Sequence, residues 1–255
     1  MTVITVSKSM KVENPVGFVN IHPLPDLPAG LIRAHLTRRS LSAVNRNLAD
    51  GTTSNFEEKV EAGSVGYEET YITTTHRRAG WLDPDVELNY DEGFTFLAVG
   101  AVDPEAGNNR VAYLCTREFS SEGFGERIDI EPNRVRFRAW RESGSFNQAA
   151  SYSEMSSGFV AAFGGIDVQS DNVFAYAPHE DSYEEVDGEA PSPQAPAGLV
   201  LSAAYIAPGS AEGQDEESSK QAFAAVWDRP LSQSEMQQAY QALKPWLSRL
   251  GVNIA

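Results

Sequence analysis

The segment from Glu126 to Glu131, ERIDIE, carries three carboxylates close enough together for glycoside hydrolysis to be considered. A retaining glycosidase uses two carboxyl groups about 5 Å apart, one as the acid and the other as the nucleophile. Residues two apart share one face of a β-strand, so Asp129 and Glu131 share their face with Arg127, and Glu126 points to the opposite face. An arginine therefore lies where an E-x-D-x-E series would need its first carboxylate.

The same segment is the first arm of a predicted β-hairpin. Pro132 and Asn133 separate two alternating runs, ERIDIE and RVRFRAW, and a turn of two residues fixes their register. Two charged pairs then lie on one face and two apolar pairs on the other: Glu131–Arg134 and Asp129–Arg136, Ile128–Phe137 and Ile130–Val135. Arginine partners would keep both carboxylates ionised, which favours a ladder of charges on a solvated face over a catalytic pair. We therefore predict a protein that is not an enzyme and assign it no catalytic residue.

Four residues around the segment RESGSFNQAASY have the chemistry of a sugar site: Trp140, Phe146, Asn147 and Tyr152. Aromatic rings offer flat apolar surface, and an amide beside them can hydrogen-bond hydroxyl groups. These residues are our predicted carbohydrate-binding site. The alternative is that Trp140 and Tyr152 end strands whose side chains face the core.

Oxygen ligands for a metal ion cluster around the segment IDVQSDNV, where Asp167, Asp171 and Asn172 offer carboxylate and amide groups. Such groups suit a structural calcium ion. Asp and Asn also occur in loops for turn formation alone, so both interpretations stay open. Apart from calcium, no cofactor is expected.

The spacing of the histidine and cysteine residues does not predict a metal site. His22, His35, His76 and His179 are scattered, with no HxH or HxxxH pair that would aim two ligands at zinc. Cys115 is the single cysteine, which excludes an intrachain disulfide and a zinc site made of several cysteines of one chain. No P-loop, dinucleotide fingerprint or G-x-S-x-G motif is present, and the pair Gly164-Gly165 fits a bend or bulge better than a phosphate cradle.

The composition and the N-terminal sequence exclude some classes of partner. The 255 residues carry a net charge of −16, which repels phosphate backbones, so nucleic acid is not an expected partner. The N-terminal sequence has neither the pattern of a secretory signal nor an apolar run of about 18 residues, so we expect no secretory signal and no membrane insertion.

Strand patterns dominate from the middle of the chain onward. They cover residues 94–102, 110–116, 126–140, 159–163, 173–176, 199–206 and 221–227. No helices alternate with them, which favours an antiparallel β-sandwich over a βαβ fold. Residues 31–49 are mixed, with a short helix as one interpretation, and residues 180–196 and 209–219 are predicted exposed loops. Residues 1–30 are predicted to form an arm, either a first strand packed on the body or a docking segment, and residues 31–255 the domain.

A C-terminal helix over residues 232–250 is the best-specified element. Ser232 and Glu235 form a capping box, Leu231 and Met236 can form the hydrophobic staple around it, and Gly251 is the predicted stop. Apolar residues recur at intervals of three and four: Met236, Ala239, Tyr240, Leu243, Trp246, Leu247 and Leu250. Pro245 predicts a kink or a break near Lys244.

The C-terminal sequence AFAAVWDRPLSQSEMQQAYQALKPWLSRLGV resembles the ending of concanavalin A-like, laminin-G-like jelly-roll domains of bacteriophage tail and other virion proteins. The resemblance rests on a final strand, a corner and a closing helix: Ala224 to Trp227, Asp228 to Ser232, and Glu235 with Tyr240. Residues 47–51 and 94–102 are similar to opening strands of such domains. It implies a jelly roll displayed on a virion, oligomeric, that binds host-surface glycans or neighbouring subunits, and it implies no reaction.

We therefore expect a mostly β, concanavalin A-like jelly roll closed by the amphipathic helix. Its expected role is that of a non-catalytic structural protein of a bacteriophage virion, in a tail fibre, spike or head decoration assembled in the host cytoplasm. Other virion subunits, further copies of the chain and a host-surface glycan are the expected partners. A free carbohydrate-binding module is the alternative, and a glycoside hydrolase on the same fold is a third hypothesis.

Overall fold

A computed structural model describes residues 23–60, 63–75, 79–86, 88–101, 111–116, 126–131, 133–140, 146–152, 158–187, 198–201 and 219–255. The elements of this part of the chain are, in order, β1 (Leu31–Leu36), α1 (Leu41–Val44), β2 (Glu57–Val60), β3 (Val65–Tyr67), β4 (Ile72–Thr74), β5 (Ala79–Asp83), β6 (Gly93–Ala101), β7 (Val111–Thr116), β8 (Arg127–Glu131), β9 (Arg134–Trp140), β10 (Phe146–Tyr152), β11 (Val160–Asp167), β12 (Asn172–Ala177), β13 (Ser182–Asp187), β14 (Leu199–Leu201), β15 (Ser219–Trp227) and α2 (Gln233–Arg249). The protein is mostly β, as the strand patterns predict.

The strands form two antiparallel sheets. The first sheet has the order β13-β12-β11-β6-β15-β4-β3, and β1 pairs with β15 as well. The second sheet has the order β10-β9-β8-β7-β14-β5-β2. One side of strand β15 therefore pairs with two strands. Strand β4 pairs with the first residues of β15, and β1 pairs with its last residues.

An apolar cluster joins the two sheets. Phe94 and Phe96 of the first sheet and Ile128 and Phe137 of the second are fully buried in it, and the rings of Phe96 and Phe137 have centroids 6.1 Å apart. Residues two apart on these strands face the same cluster, which is the consequence of strand alternation. The predicted core side of the β8–β9 hairpin is confirmed.

Gly164 and Gly165 lie within β11, which pairs on both sides without a register shift. A Cβ atom on Gly164 would lie 2.7 Å from the Cβ of Phe137 in the other sheet, and one on Gly165 would lie 2.2 Å from the carbonyl oxygen of Phe94. The predicted bend or bulge is wrong. Glycine is required here because backbone and a bulky ring approach closely.

Helix α2 packs on the outer side of the first sheet. Its predicted apolar stripe is confirmed, because Met236, Ala239, Tyr240, Leu243, Trp246 and Leu247 are buried against Phe223, Trp227 and their neighbours. The capping box of Ser232 and Glu235 is formed, and Gly251, with a φ of 87°, follows the end of the helix.

Pro245 does not break this helix. Residues Gln233–Arg249 form one continuous helix with Pro245 inside it, so the predicted break is wrong. Pro245 and Gln241, whose carbonyl the missing N–H would have bonded, are exposed, and water can solvate that carbonyl. The buried side chains of Trp246 and Leu247 hold the following turn against the sheet.

Two segments differ from their sequence assignment. Residues 31–49, whose sequence pattern is mixed, begin with strand β1 and continue with the short helix α1. Ala34 and His35 of β1 are buried and pair with β15. Within the predicted loop 180–196, residues Ser182–Asp187 form the edge strand β13, and Tyr183 packs on the rings of Phe174 and Tyr176. Residues 47–51 form a turn rather than an opening strand.

The end of the predicted arm that the structure describes, residues 23–30, lies against the body. Trp227 Nε1 donates a hydrogen bond to the carbonyl of Pro28 at 3.1 Å, and Arg229 Nε donates to that of Ala29 at 3.0 Å. Leu24 and Leu27 pack on the cluster under helix α2. Residues 1–22 lie outside the described part. No helix in the described part of the chain is long and apolar enough to cross a membrane.

Candidate functional site

The β8–β9 hairpin has the predicted register. Its pairs are those read from the sequence: Glu131–Arg134, Asp129–Arg136, Ile130–Val135 and Ile128–Phe137. The two arginines that complete the charged face, Arg127 and Arg138, are opposite each other. The charged face thus has four arginines and two carboxylates, and it points away from the first sheet.

The charged face is buried, so the prediction of a solvated ladder is wrong. The side chains of Asp129, Glu131 and Arg136 are 0%, 6% and 5% exposed. Alternation along a strand reveals which residues share a face, and it does not reveal whether that face is covered.

Each carboxylate of the hairpin lies between two guanidinium groups. Asp129 Oδ2 is 3.2 Å from Nε of Arg127 and 3.6 Å from Nε of Arg138. Glu131 pairs with Arg134 and, at 3.2 Å, with Arg136. Both carboxylates are thus held in ion pairs with arginine side chains.

The predicted sugar-binding residues are divided by the register of β9 and β10. Phe146 pairs with Trp140, and Asn147 follows it at the same end of the hairpin, whereas Tyr152 pairs with Arg134 at the other end. About 20 Å of strand separates residues 146 and 152. Residues 146–152 of the segment RESGSFNQAASY form strand β10, and the four side chains lie outside the described part. Their role in sugar binding stays a prediction.

The predicted calcium ligands lie at the turn between β11 and β12. Asp167 and Asn172 are opposite each other, and Asp167 Oδ1 accepts a hydrogen bond from the backbone N–H of Gln169 at 3.0 Å. Asp171 has a φ of 55°, a left-handed conformation that aspartate tolerates. Among the described residues, no group of three or more His, Cys, Asp or Glu side chains is arranged to hold a metal ion. Calcium binding stays a prediction, and the turn gives Asp167 a role without it.

An open cleft of about 470 Å³ lies between the segment after β1 and the β3–β4 hairpin. Arg39, Tyr67, Glu68 and Glu69 line it. An aromatic ring, a guanidinium group and two carboxylates thus converge on one depression. These groups are of the kind that orient a polar ligand in a protein pocket.

Backbone hydrogen bonds fix the two walls of the cleft to each other. The N–H of Arg39 donates to the carbonyl of Glu68 at 2.8 Å, and the N–H of Glu68 donates to that of Tyr71 across the hairpin turn. Arg39 has a φ of 62°, which is uncommon for a residue other than glycine. This turn directs the side chain of Arg39 to an ion pair with Glu69.

Tyr67 connects the cleft to both sheets. Strand β3 carries Tyr67 at the edge of the first sheet, and its hydroxyl accepts a hydrogen bond of 2.8 Å from Trp81 Nε1 in the second sheet. The same hydroxyl donates to the carboxylate of Glu58 on β2, also in the second sheet. Burial, together with Glu58, raises the pKa of Tyr67 to about 12, so the hydroxyl stays protonated at neutral pH. The ring is therefore held in one position.

Arg38 lies beside the cleft and is 7% exposed. Burial, and then the charge of Arg39, lower its pKa, while the charge of Glu69 acts in the opposite direction. Glu69 is thus near both arginines. The side chain of Arg38 has no hydrogen bond or ion pair within the described residues, and its backbone carbonyl accepts a hydrogen bond from the N–H of Ser40.

The sequence analysis did not identify this cleft. Its residues come from two segments about 30 positions apart, and neither segment shows a motif. The one local signal is the pair Arg38-Arg39 between the end of an apolar strand and Ser40, the residue that caps α1. Two consecutive arginines before a helix cap indicate a solvent-exposed turn at most, so the pocket follows from tertiary structure alone.

These observations define an all-β domain of two antiparallel sheets, one outer helix and a polar cleft at the edge where the sheets meet. No known protein-family model matches the sequence, and no curated protein matches it.

The fold is similar to that of several solved binding domains. The binding domain of botulinum neurotoxin serotype C1 has a TM-score of 0.61 at 11% identity, and that of Paraclostridial Mosquitocidal Protein 1 has 0.59 at 10%. The binding domain of botulinum neurotoxin DC in complex with SialylT has 0.60 at 10%. Each match covers 84% of this chain and 52% of the other, so the chain spans about half the length of these domains.

Proposed function

We propose that the chain is a non-catalytic glycan-binding domain whose ligand occupies the cleft of Arg39, Tyr67, Glu68 and Glu69. The composition of that cleft carries the proposal. Sugar rings present apolar faces that pack on aromatic side chains, and their hydroxyl groups hydrogen-bond to carboxylates and guanidinium groups. Tyr67 is positioned in advance by Trp81 and Glu58, which lowers the entropic cost of binding.

The structural neighbours support a binding role. Their names describe binding domains, and one was solved in complex with SialylT. Fold similarity at about 10% identity is an analogy for function, so the cleft remains the principal support.

The charged face of the β8–β9 hairpin argues against glycan hydrolysis. Asp129 and Glu131 are the carboxylates whose spacing suits a glycosidase, and both are held in pairs of arginines. We therefore place glycan hydrolysis behind binding. The variants Asp129→Asn and Glu131→Gln should show no change in any glycan cleavage that the protein displays, and a loss of about a thousandfold would favour the hydrolase instead.

We further propose that the domain is a concanavalin A-like jelly roll in a bacteriophage virion, as part of a tail fibre, spike or head decoration. The strand, corner and helix from Ala224 to Leu250 support this, because their sequence resembles the ending of such domains. Electron microscopy of phage particles labelled with an antibody against the chain tests it: labelled particles are expected, and antibody that binds only unassembled protein would contradict it. Light scattering of the purified protein tests the expected oligomer.

A panel of immobilised glycans tests the glycan-binding role. Binding of at least one glycan is expected, with Arg39→Ala and Glu68→Gln weakening it by about tenfold each, since each removes a polar contact. Asn147→Ala tests the alternative site near Trp140. If Asn147→Ala abolishes binding and the two cleft variants bind normally, the cleft is the wrong site.

A further inference from the structure

We propose that the ligand of the cleft is a glycan that carries a protonated amino group, which binds the carboxylate of Glu68 beside the ring of Tyr67. This inference rests on the proposed function, and it adds the chemical class of the glycan. Its basis is that two of the four lining side chains, Arg39 and Glu69, already hold each other, which leaves one aromatic ring and one carboxylate to the ligand.

The positive charge of the cleft is already neutralised. The guanidinium group of Arg39 forms an ion pair with the carboxylate of Glu69. An acidic group of a ligand would have to compete with Glu69 for that guanidinium group. Among the described residues that line the cleft, no other cation is available to an acidic ligand. The arrangement therefore does not favour an anionic glycan.

Glu68 carries the unmatched charge of the cleft. Its side chain is exposed and has no hydrogen bond or ion pair within the described residues. Both polar groups of its backbone are held, because the carbonyl accepts from the N–H of Arg39 and the N–H donates to the carbonyl of Tyr71, each at 2.8 Å. An ammonium group is the strongest complement to this carboxylate, since charge-assisted hydrogen bonds are about twice as strong as neutral ones.

Tyr67 offers its ring to the ligand, because its hydroxyl is already engaged. That hydroxyl accepts a hydrogen bond of 2.8 Å from Trp81 Nε1 and donates its own hydrogen to the carboxylate of Glu58. The hydroxyl hydrogen is therefore not available to a sugar. The face of an aromatic ring attracts an ammonium group. The negative charge of Glu58 at the hydroxyl end of the ring acts in the same direction.

The charge of the whole chain also favours a cationic ligand. The lining residues comprise one arginine and two glutamates, and the protein has a net charge of −16, so its field attracts cations and repels anions. An amino sugar fits these conditions. Its ammonium group binds Glu68, its apolar ring face packs on Tyr67, and its hydroxyl groups can hydrogen-bond to the pair of Arg39 and Glu69.

Matched sets of oligosaccharides test the inference on the full chain. Each set has one backbone, of β-linked glucose or galactose units, and its members differ at one carbon of the terminal unit. That carbon carries a hydroxyl, an acetamido or a free amino group. A single amino group per molecule limits nonspecific attraction to the acidic protein. The amino member is expected to bind at least about tenfold more tightly than the two neutral members.

Substitutions at Glu68 and Tyr67 test whether the preference arises in the cleft. Glu68→Gln is expected to lower the ratio of amino to neutral binding to about one, and Glu68→Asp, which keeps the charge on a shorter side chain, should retain part of it. Tyr67→Phe and Tyr67→Leu both remove the hydroxyl, and only the second removes the ring. The ratio should therefore be about threefold lower in Tyr67→Leu than in Tyr67→Phe.

A carboxylate outside the cleft provides the control. Glu184→Gln removes an exposed carboxylate on β13, at the opposite edge of the first sheet from β3, and should leave the ratio unchanged. The melting temperature is measured for each variant, so that a loss of binding in a folded protein is identified.

The outcomes separate this inference from the proposed function. Equal binding of the amino and neutral members, an amino preference that survives Glu68→Gln, or an equal loss of preference in Glu184→Gln overturns the inference and leaves glycan binding in place. Absence of binding to every member overturns both. Tighter binding of the amino member that depends on Glu68 and not on Glu184 supports both.

Discussion

Arginine side chains lie in two different environments in this protein, one in the β8–β9 hairpin and the other at the cleft. On the hairpin, Asp129 and Glu131 are each flanked by two guanidinium groups, and the charges are buried together. In the cleft, Arg39 forms an ion pair with Glu69, and their side chains are 42% and 73% exposed. The buried ion pairs couple the hairpin to the stability of the fold, whereas an exposed pair such as that of Arg39 and Glu69 contributes little.

His35, three residues before Arg38, is a buried base that is neutral instead of being paired with a carboxylate. Its ring is fully buried, Nδ1 lies 2.8 Å from the carbonyl oxygen of Val44, and burial lowers the pKa of His35 to about 4. At neutral pH the imidazole is therefore neutral and Nδ1–H donates to that carbonyl. An arginine cannot discharge in this way, because its pKa remains above the physiological range in proteins.

The largest expected effect is on the hairpin. Asp129→Asn leaves two buried guanidinium groups without their carboxylate, and the free energy of unfolding should fall by about 3 kcal/mol. Denaturant unfolding measures it, with Glu184→Gln on the exposed edge strand β13 as the control. A change no larger than that of the control would mean that the hairpin charges are not coupled to stability.

The next effect concerns His35 and pH. Its pKa of 6.5 in the unfolded chain and about 4 in the folded one mean that only the unfolded state gains the proton between these values. Stability is therefore complete above pH 6.5 and falls by roughly 3 kcal/mol as the pH drops to 4. The variant His35→Asn keeps a donor for Val44 and does not titrate, so this part of the pH dependence should disappear. An identical pH profile in the variant would show that another group is responsible.

A smaller effect is expected at the start of α2. A hydrogen bond from Arg229, followed in importance by the N-cap Ser232, lowers the pKa of Glu235 to about 2. Its contribution is present above pH 4.5 and is lost as the pH falls towards 2. Glu235→Gln keeps the acceptor of the capping box and removes the ion pair, which is about one third exposed, so a loss of about 0.5 kcal/mol at neutral pH is expected. Thermal unfolding of the variant beside Arg229→Gln, which breaks the same pair, measures it.

The smallest change in stability is expected for Arg38. Arg38 is 7% exposed and its side chain has no ion pair within the described residues, so Arg38→Met should leave the free energy of unfolding within about 0.5 kcal/mol of the original or raise it. Denaturant unfolding in the absence of glycans measures it. A loss of about 2 kcal/mol or more would place Arg38 with the hairpin arginines as a structural residue and remove the contrast between the two regions.

Much of the fold follows from local patterns. The register of the β8–β9 hairpin follows from alternation and a two-residue turn, and helix α2 follows from its capping box and apolar stripe, because these signals involve residues close together in sequence. Strand β1 was less evident, since its pairing with β15 joins segments almost 200 residues apart. The sequence of the edge strand β13 predicts a loop, because its acidic residues hide the contribution of Tyr183.

The candidate sites, like the fold, follow partly from the sequence and partly from tertiary structure. The positions of Asp167 and Asn172 across a turn follow from sequence, but their predicted calcium binding and the sugar-binding role of Trp140, Phe146, Asn147 and Tyr152 stay predictions. The cleft joins Arg39 to the hairpin of Tyr67, Glu68 and Glu69 through a backbone hydrogen bond to Glu68 and an ion pair with Glu69. No spacing in the sequence encodes that contact.

The sequence by itself determined which residues share a strand face, where the C-terminal helix begins and ends, and that the protein is mostly β, because alternation, capping and helical periodicity act over a few residues. Tertiary structure alone decided that the hairpin charges are buried, that Gly164 meets Phe137, and that Arg39 contacts the β3–β4 hairpin. Burial depends on what covers a face, and the residues that cover it come from elsewhere in the chain.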